Sequence, residues 1–156
     1  MTRHLATAVL SALWLGAAII VAAVVAPAAF AALPSRTLAG ALVGRVLPAV
    51  FLSGLAIALV NVVLDAMDAT AAGAALRLAA SVVWAACAAV AQFIVSPRIE
   101  RLRSAAGGPI DALAPDAPLR TAFGRLHGAS VGLLGLAMLA ALAVLLLATR
   151  AVTQNR

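Results

Sequence analysis

The chain contains no lysine and no tyrosine, a single cysteine (Cys87) and only five acidic residues in 156. Each shortage excludes a class of protein. Charged residues make up 10% and apolar residues 65%, against about 25% and about 45–50% in soluble domains. A soluble globular protein is therefore excluded. Disorder is excluded as well, because it needs low hydrophobicity and high charge. One cysteine cannot close an internal disulfide, and within an apolar segment Cys87 reads as a small core residue. Period-2 alternation is missing, which argues against a membrane barrel. No nucleophile elbow, phosphate loop, HExxH or CxxC occurs, so no catalytic residue is assigned and no enzyme is expected.

What remains is long apolar runs. Mean hydropathy is +1.15, and four segments stand out, at about 5–30, 37–64, 71–95 and 124–148. Each reaches the roughly 20 residues that cross a ~30 Å hydrocarbon core at 1.5 Å per residue. The expected fold is an all-α integral membrane protein, one domain over 1–156, with four transmembrane helices in an antiparallel up-down bundle. The first run is longer than the ~7–15 residues of a secretion-signal core, so an uncleaved helix is expected. Pro34 and Ser35 read as a stop followed by a cap. The only sizeable loop is expected over about 96–118, broken by Pro97, Gly107, Gly108, Pro109, Pro115 and Pro118. Arg98–Arg103 reads there as a short helix on the membrane surface.

Eleven arginines give a net charge of +6. They lie between apolar runs and carry no aromatic interleaving, so they read as anchors facing lipid phosphates rather than as a nucleic-acid stripe. Four spans put Arg36, Arg45, Arg98, Arg101, Arg103, Arg120 and Arg125 on one face and Arg3, Arg77, Arg150 and Arg156 on the other. Basic residues in short loops mark the cytoplasmic side. The first and third links are thus expected in the cytoplasm and both termini outside. Alanine and arginine bias without lysine fits a GC-rich genome, and the expected location is a bacterial-type inner (cell) membrane.

A few residues could carry chemistry. Arg45 falls about 12 Å into the second span, where it either snorkels to the headgroups, pairs with Glu100 or serves an anionic ligand. His127 and Ser130 share a helix face with Arg120 and Phe123, where His127 could bind metal, shuttle protons or bond a loop carbonyl. His4 belongs to the opposite membrane face, so one metal ion or haem cannot take both histidines. No metal site and no cofactor are expected. Asp65 and Asp68 flank the end of the second span and read as solvated charges balancing Arg77. Trp14 and Trp84 read as internal packing. Gly40/Gly44 and Gly124/Gly128/Gly132 repeat every four residues, as helices that approach closely require. They serve packing within the chain or a homo-oligomer interface.

Three patches resemble the transmembrane protein 205-like family, a domain of unknown function. They are Leu13-Trp14-Leu15-Gly16 with Ala26-Pro27-Ala28-Ala29-Phe30 and Ala39-Gly40, Ser96-Pro97-Arg98-Ile99-Glu100, and Phe123-Gly124-Arg125-Leu126-His127-Gly128-Ala129-Ser130. The resemblance implies a four-helix membrane protein without an established activity or cofactor. Its motif positions here are Trp14, Gly16, Pro27, Phe30, Gly40, Pro97, Arg98, Phe123, His127, Gly128 and Ser130. The functional expectation is a non-enzymatic, ligand-binding or export-related protein, with Arg45, Glu100, His127 and Ser130 as the candidate ligand site. Alternatives are a structural or assembly subunit of a membrane complex, and a haem or quinone redox protein. The lipid bilayer is the expected partner.

Overall fold

The computed structural model describes residues 2–67 and 73–154. Four helices within these residues are long and apolar enough to cross a membrane. They are α1 (Thr2–Ala32), α2 (Arg36–Ala66), α3 (Ala74–Ala105) and α4 (Pro118–Gln154). At 1.5 Å per residue each runs to about 45 Å or more, longer than the hydrocarbon core, so the helix ends project into the headgroups or the helices tilt. α2 packs on α3, α3 on α4, α4 on α1 and α1 on α2, closing an antiparallel bundle. One end, the loop end, gathers the links α1–α2 and α3–α4. The other, the chain end, holds the start of α1 and the end of α4.

The bundle is built with small residues inside and large ones outside. Ala18, Ala39, Ala58, Ala88, Ala91, Ala137, Ala141 and Ala148 are fully buried. Leu13, Leu76, Phe93 and Leu139 are exposed on the outer faces. Lipid tails are as apolar as leucine, so burying leucine gives no advantage there, whereas alanine lets backbones approach. The centre is filled by Trp14 and Trp84, whose rings stand 4.7 Å apart at 44°. Trp14 Nε1 donates to the Val50 carbonyl at 2.9 Å. Gly54 makes room for that indole.

Proline explains the course of α1 and α3. α1 contains a π turn at Val21–Val25 just before Pro27, and α3 contains one at Ala91–Val95 just before Pro97. A helical proline cannot donate to the carbonyl four residues back and its ring collides with it. For Pro27 and Pro97 those carbonyls belong to Ala23 and Phe93, both within the wider π turns. Ser96 also donates its hydroxyl to the Ala91 carbonyl at 2.9 Å. α3 therefore continues through Pro97 to Ala105. The expected loop start at 96 and the separate surface helix at Arg98–Arg103 are corrected accordingly: these residues are the last turns of α3. α4 likewise starts at Pro118, six residues before the expected span. Ser35 caps α2 as expected, accepting from the Leu38 amide at 3.2 Å.

Candidate functional site

The loop end encloses a cavity of about 480 Å³. One wall is a stripe of α2, with Arg36, Gly40, Val43, Gly44 and Leu47. Spacings of three and four put these on a single helix face. Ser96, Glu100 and Arg103 of α3 face them, and Phe123, His127 and Ser130 of α4 close the third side. Phe30 of α1 contributes to the wall, and Ile110 and Asp111 of a short 3-10 turn (Ile110–Ala112) reach in from the loop. Arg120 fixes the loop by donating to the Leu113 carbonyl at 2.7 Å.

Arg103 organises this space. Its Nη2 donates to the Gly40 carbonyl at 3.1 Å, and its Nη1 lies 3.7 Å from Glu100 Oε2. Its guanidinium carbon stands 5.6 Å from the centroid of the Phe123 ring. Phe123 in turn stacks with His127, their planes 3° apart and centroids 6.1 Å apart. Gly40 and Gly44 are the landing for the guanidinium: side chains there would meet Arg103 at 3.4 and 2.9 Å. The α2 glycine pair thus seats a side chain rather than a neighbouring backbone.

Of the expected ligand residues, Glu100, His127 and Ser130 are brought together in the cavity wall, and Ser130 is buried. Arg45 is not. It is exposed and stands one residue past Gly44, about 100° around α2 from the cavity stripe. Glu100 pairs with Arg103 instead, which lies one turn further along the same helix. Among the motif residues, Phe30, Gly40 and Phe123 line the cavity, whereas Gly16, Pro27, Pro97, Arg98 and Gly128 are exposed. Trp14 is in the core.

The residues missed in the sequence are Arg103, Arg36 and Asp111. The Glu100–Arg103 spacing of three was the available signal for the first. Gly124, Gly128 and Gly132, by contrast, face open space: a Cβ at any of them would meet nothing within 4 Å.

The chain end corrects another expectation. Asp65 and Arg77 are not solvated. Arg77 Nε donates to Asp65 Oδ1 at 2.9 Å, with side chains 1% and 2% exposed for Arg77 and Asp65. Asp68 lies outside the described residues. His4, near the start of α1, is buried at this end, far from His127 at the loop end.

A family model described as a domain of unknown function (DUF4149) matches residues 9–107. The chain belongs to this family. The match runs from α1 through α3, so the DUF4149 region includes Ser96, Glu100 and Arg103 but stops before α4. No curated protein and no solved structure matches the chain.

Proposed function

We propose that this DUF4149 protein is a non-enzymatic protein of a cell membrane that binds, or helps to export, a small amphipathic ligand in the loop-end cavity. The cavity itself carries the reading. Val43, Leu47 and Phe30 offer an apolar wall, while Arg36, Glu100, Asp111, His127 and Ser130 offer polar groups. Binding pockets commonly combine an apolar lining with a few placed polar groups. Both signs of charge are present, which suits a ligand with a polar or zwitterionic head and an apolar tail. Phe123, His127 and Ser130, three positions through which the sequence resembles the transmembrane protein 205-like family, lie in this wall.

Native mass spectrometry of the gently solubilised protein tests it. A bound species is expected on the wild type and lost from Ser130→Leu, whose side chain fills the buried corner. A wild type with no bound species, or a folded Ser130→Leu variant that retains it undiminished, refutes the proposal.

A second reading, a subunit of a homo-oligomer or membrane complex, is favoured by Gly124, Gly128 and Gly132. They form an open, exposed row on α4, the spacing used by helices that associate closely in lipid. Crosslinking in membranes through Gly128→Cys separates the readings: a dimer band supports association along α4, and its absence removes that support.

A further inference from the structure

Three helices bring polar side chains into the interior near the chain end. Ser11 of α1, Asn61 and Asp65 of α2, and Arg77 and Ser81 of α3 are each at most 2% exposed. Two contacts join them: Asn61 Nδ2 donates to Ser11 Oγ at 3.1 Å, and Arg77 Nε donates to Asp65 Oδ1 at 2.9 Å. The buried polar atoms that lack a partner among the described residues include Asn61 Oδ1, Asp65 Oδ2, Ser81 Oγ and Trp84 Nε1. The Arg77–Asp65 bond sets the register of the antiparallel pair, which puts Asn61 level with Ser81 and Trp84 about one turn beyond. Asn61 and Asp65 are one turn apart on α2, and Ser81 and Trp84 one turn apart on α3, which packs against it.

An unpaired polar atom buried in a low-dielectric interior is costly, and more so when it belongs to a charged group. The chemistry of the four defines their guest. Asn61 Oδ1 and Asp65 Oδ2 only accept, Trp84 Nε1 only donates, and Ser81 does either. A metal cation would satisfy the acceptors but not the indole N–H. It would also add charge beside a carboxylate that Arg77 already faces. Water donates and accepts, carries no charge and typically binds where two to four buried polar groups converge.

We infer that Asn61, Asp65, Ser81 and Trp84 form an internal binding site for water. This site is separate from the loop-end cavity. Trp84 then presents its Nε1 edge to this site and its ring to Trp14 in the alanine-lined centre of the bundle.

The sign of one substitution tests the inference. If Ser81 Oγ were dry, Ser81→Ala would remove an unsatisfied group and raise the melting temperature or leave it unchanged. If it holds water, the same change strands that water and lowers the melting temperature, by roughly 2–4 °C for a chain of this size. Pulsed X-ray hydroxyl labelling of the detergent-solubilised full chain gives a second readout. It oxidises side chains beside bound water, so Trp84 is expected to be labelled in the wild type and less so in Ser81→Ala. An unlabelled Trp84, or a Ser81→Ala variant as stable as the wild type or more so, overturns the site. Should Ser81→Ala fail to fold, wild-type labelling decides. Stabilisation of the wild type by sodium chloride over choline chloride, absent in Asp65→Asn, overturns the water assignment in favour of a cation.

Discussion

A side chain at Gly44 would stand 2.9 Å from Nη1 of Arg103, so this glycine and this arginine share one space. The atom in the way is the tip of a flexible chain. Gly44→Ala is therefore expected to fold with a melting temperature within roughly 2–4 °C of the wild type, while moving Arg103 off the Gly40 carbonyl. Gly44→Phe fills the groove and expels the guanidinium. The expected result is graded loss of the bound species in native mass spectrometry, phenylalanine variant below alanine variant, with the fold intact by circular dichroism. Equal retention in both variants would mean that the Arg103 seat does not shape the cavity.

Gly54 makes the opposite case. A Cβ there would lie 2.7 Å from Cε2 and Nε1 of Trp14. That indole is buried, tied to Val50 and packed on Trp84. It cannot step aside as Arg103 can. Gly54→Ala should cost about 1–3 kcal/mol through overpacking, measured by thermal or denaturant unfolding in detergent. Trp14→Phe, a smaller ring, should rescue part of the loss. A neutral Gly54→Ala would show that the tryptophan layer is slack.

Much of the fold was legible because span length and composition follow directly from the bilayer. The limits lay at helix ends. Pro97 reads as a breaker in any sequence, yet the π turn before it accommodates its missing donor, and α3 carries Glu100 and Arg103 onward into the cavity wall. Arg45 looked like the arginine of the site because it is deepest in its span. Position around the helix, not depth, decides the matter, and it faces away from the stripe of Gly40 and Gly44. Asp65 read as a solvated link charge balancing Arg77 because both flank a short link. Nothing in their spacing distinguishes a link charge from an interior one, since their meeting depends on how α2 lies against α3.

The buried ion pair carries its own prediction. Removing one member of a buried pair typically costs about 3–5 kcal/mol, whereas replacing both by apolar residues of similar volume is often neutral or stabilising. Asp65→Leu and Arg77→Met should each lower the unfolding midpoint strongly. The double variant Asp65→Leu/Arg77→Met should recover most of the loss. Additive losses in the double-mutant cycle would show that the two side chains are not coupled.

The same pair bears on the expected orientation of the bundle. Among the described residues the loop end holds seven arginines and the chain end three, but these are not equivalent anchors. Arg77 is wholly buried against Asp65 and cannot meet headgroup phosphates. Excluding it leaves the described chain end with Arg3 and Arg150, against Arg36, Arg45, Arg98, Arg101, Arg103, Arg120 and Arg125 at the loop end. The basic bias that marks the cytoplasmic side is thereby sharpened, and we predict that the link between α3 and α4 faces the cytoplasm. Ala106→Cys, just past the end of α3, reports on it, because the native Cys87 is buried and gives little background. In intact bacterial cells expressing this variant, position 106 should resist a membrane-impermeant maleimide and react only after the membrane is opened. Labelling from outside would invert the bundle and place the loop-end cavity at the outer face.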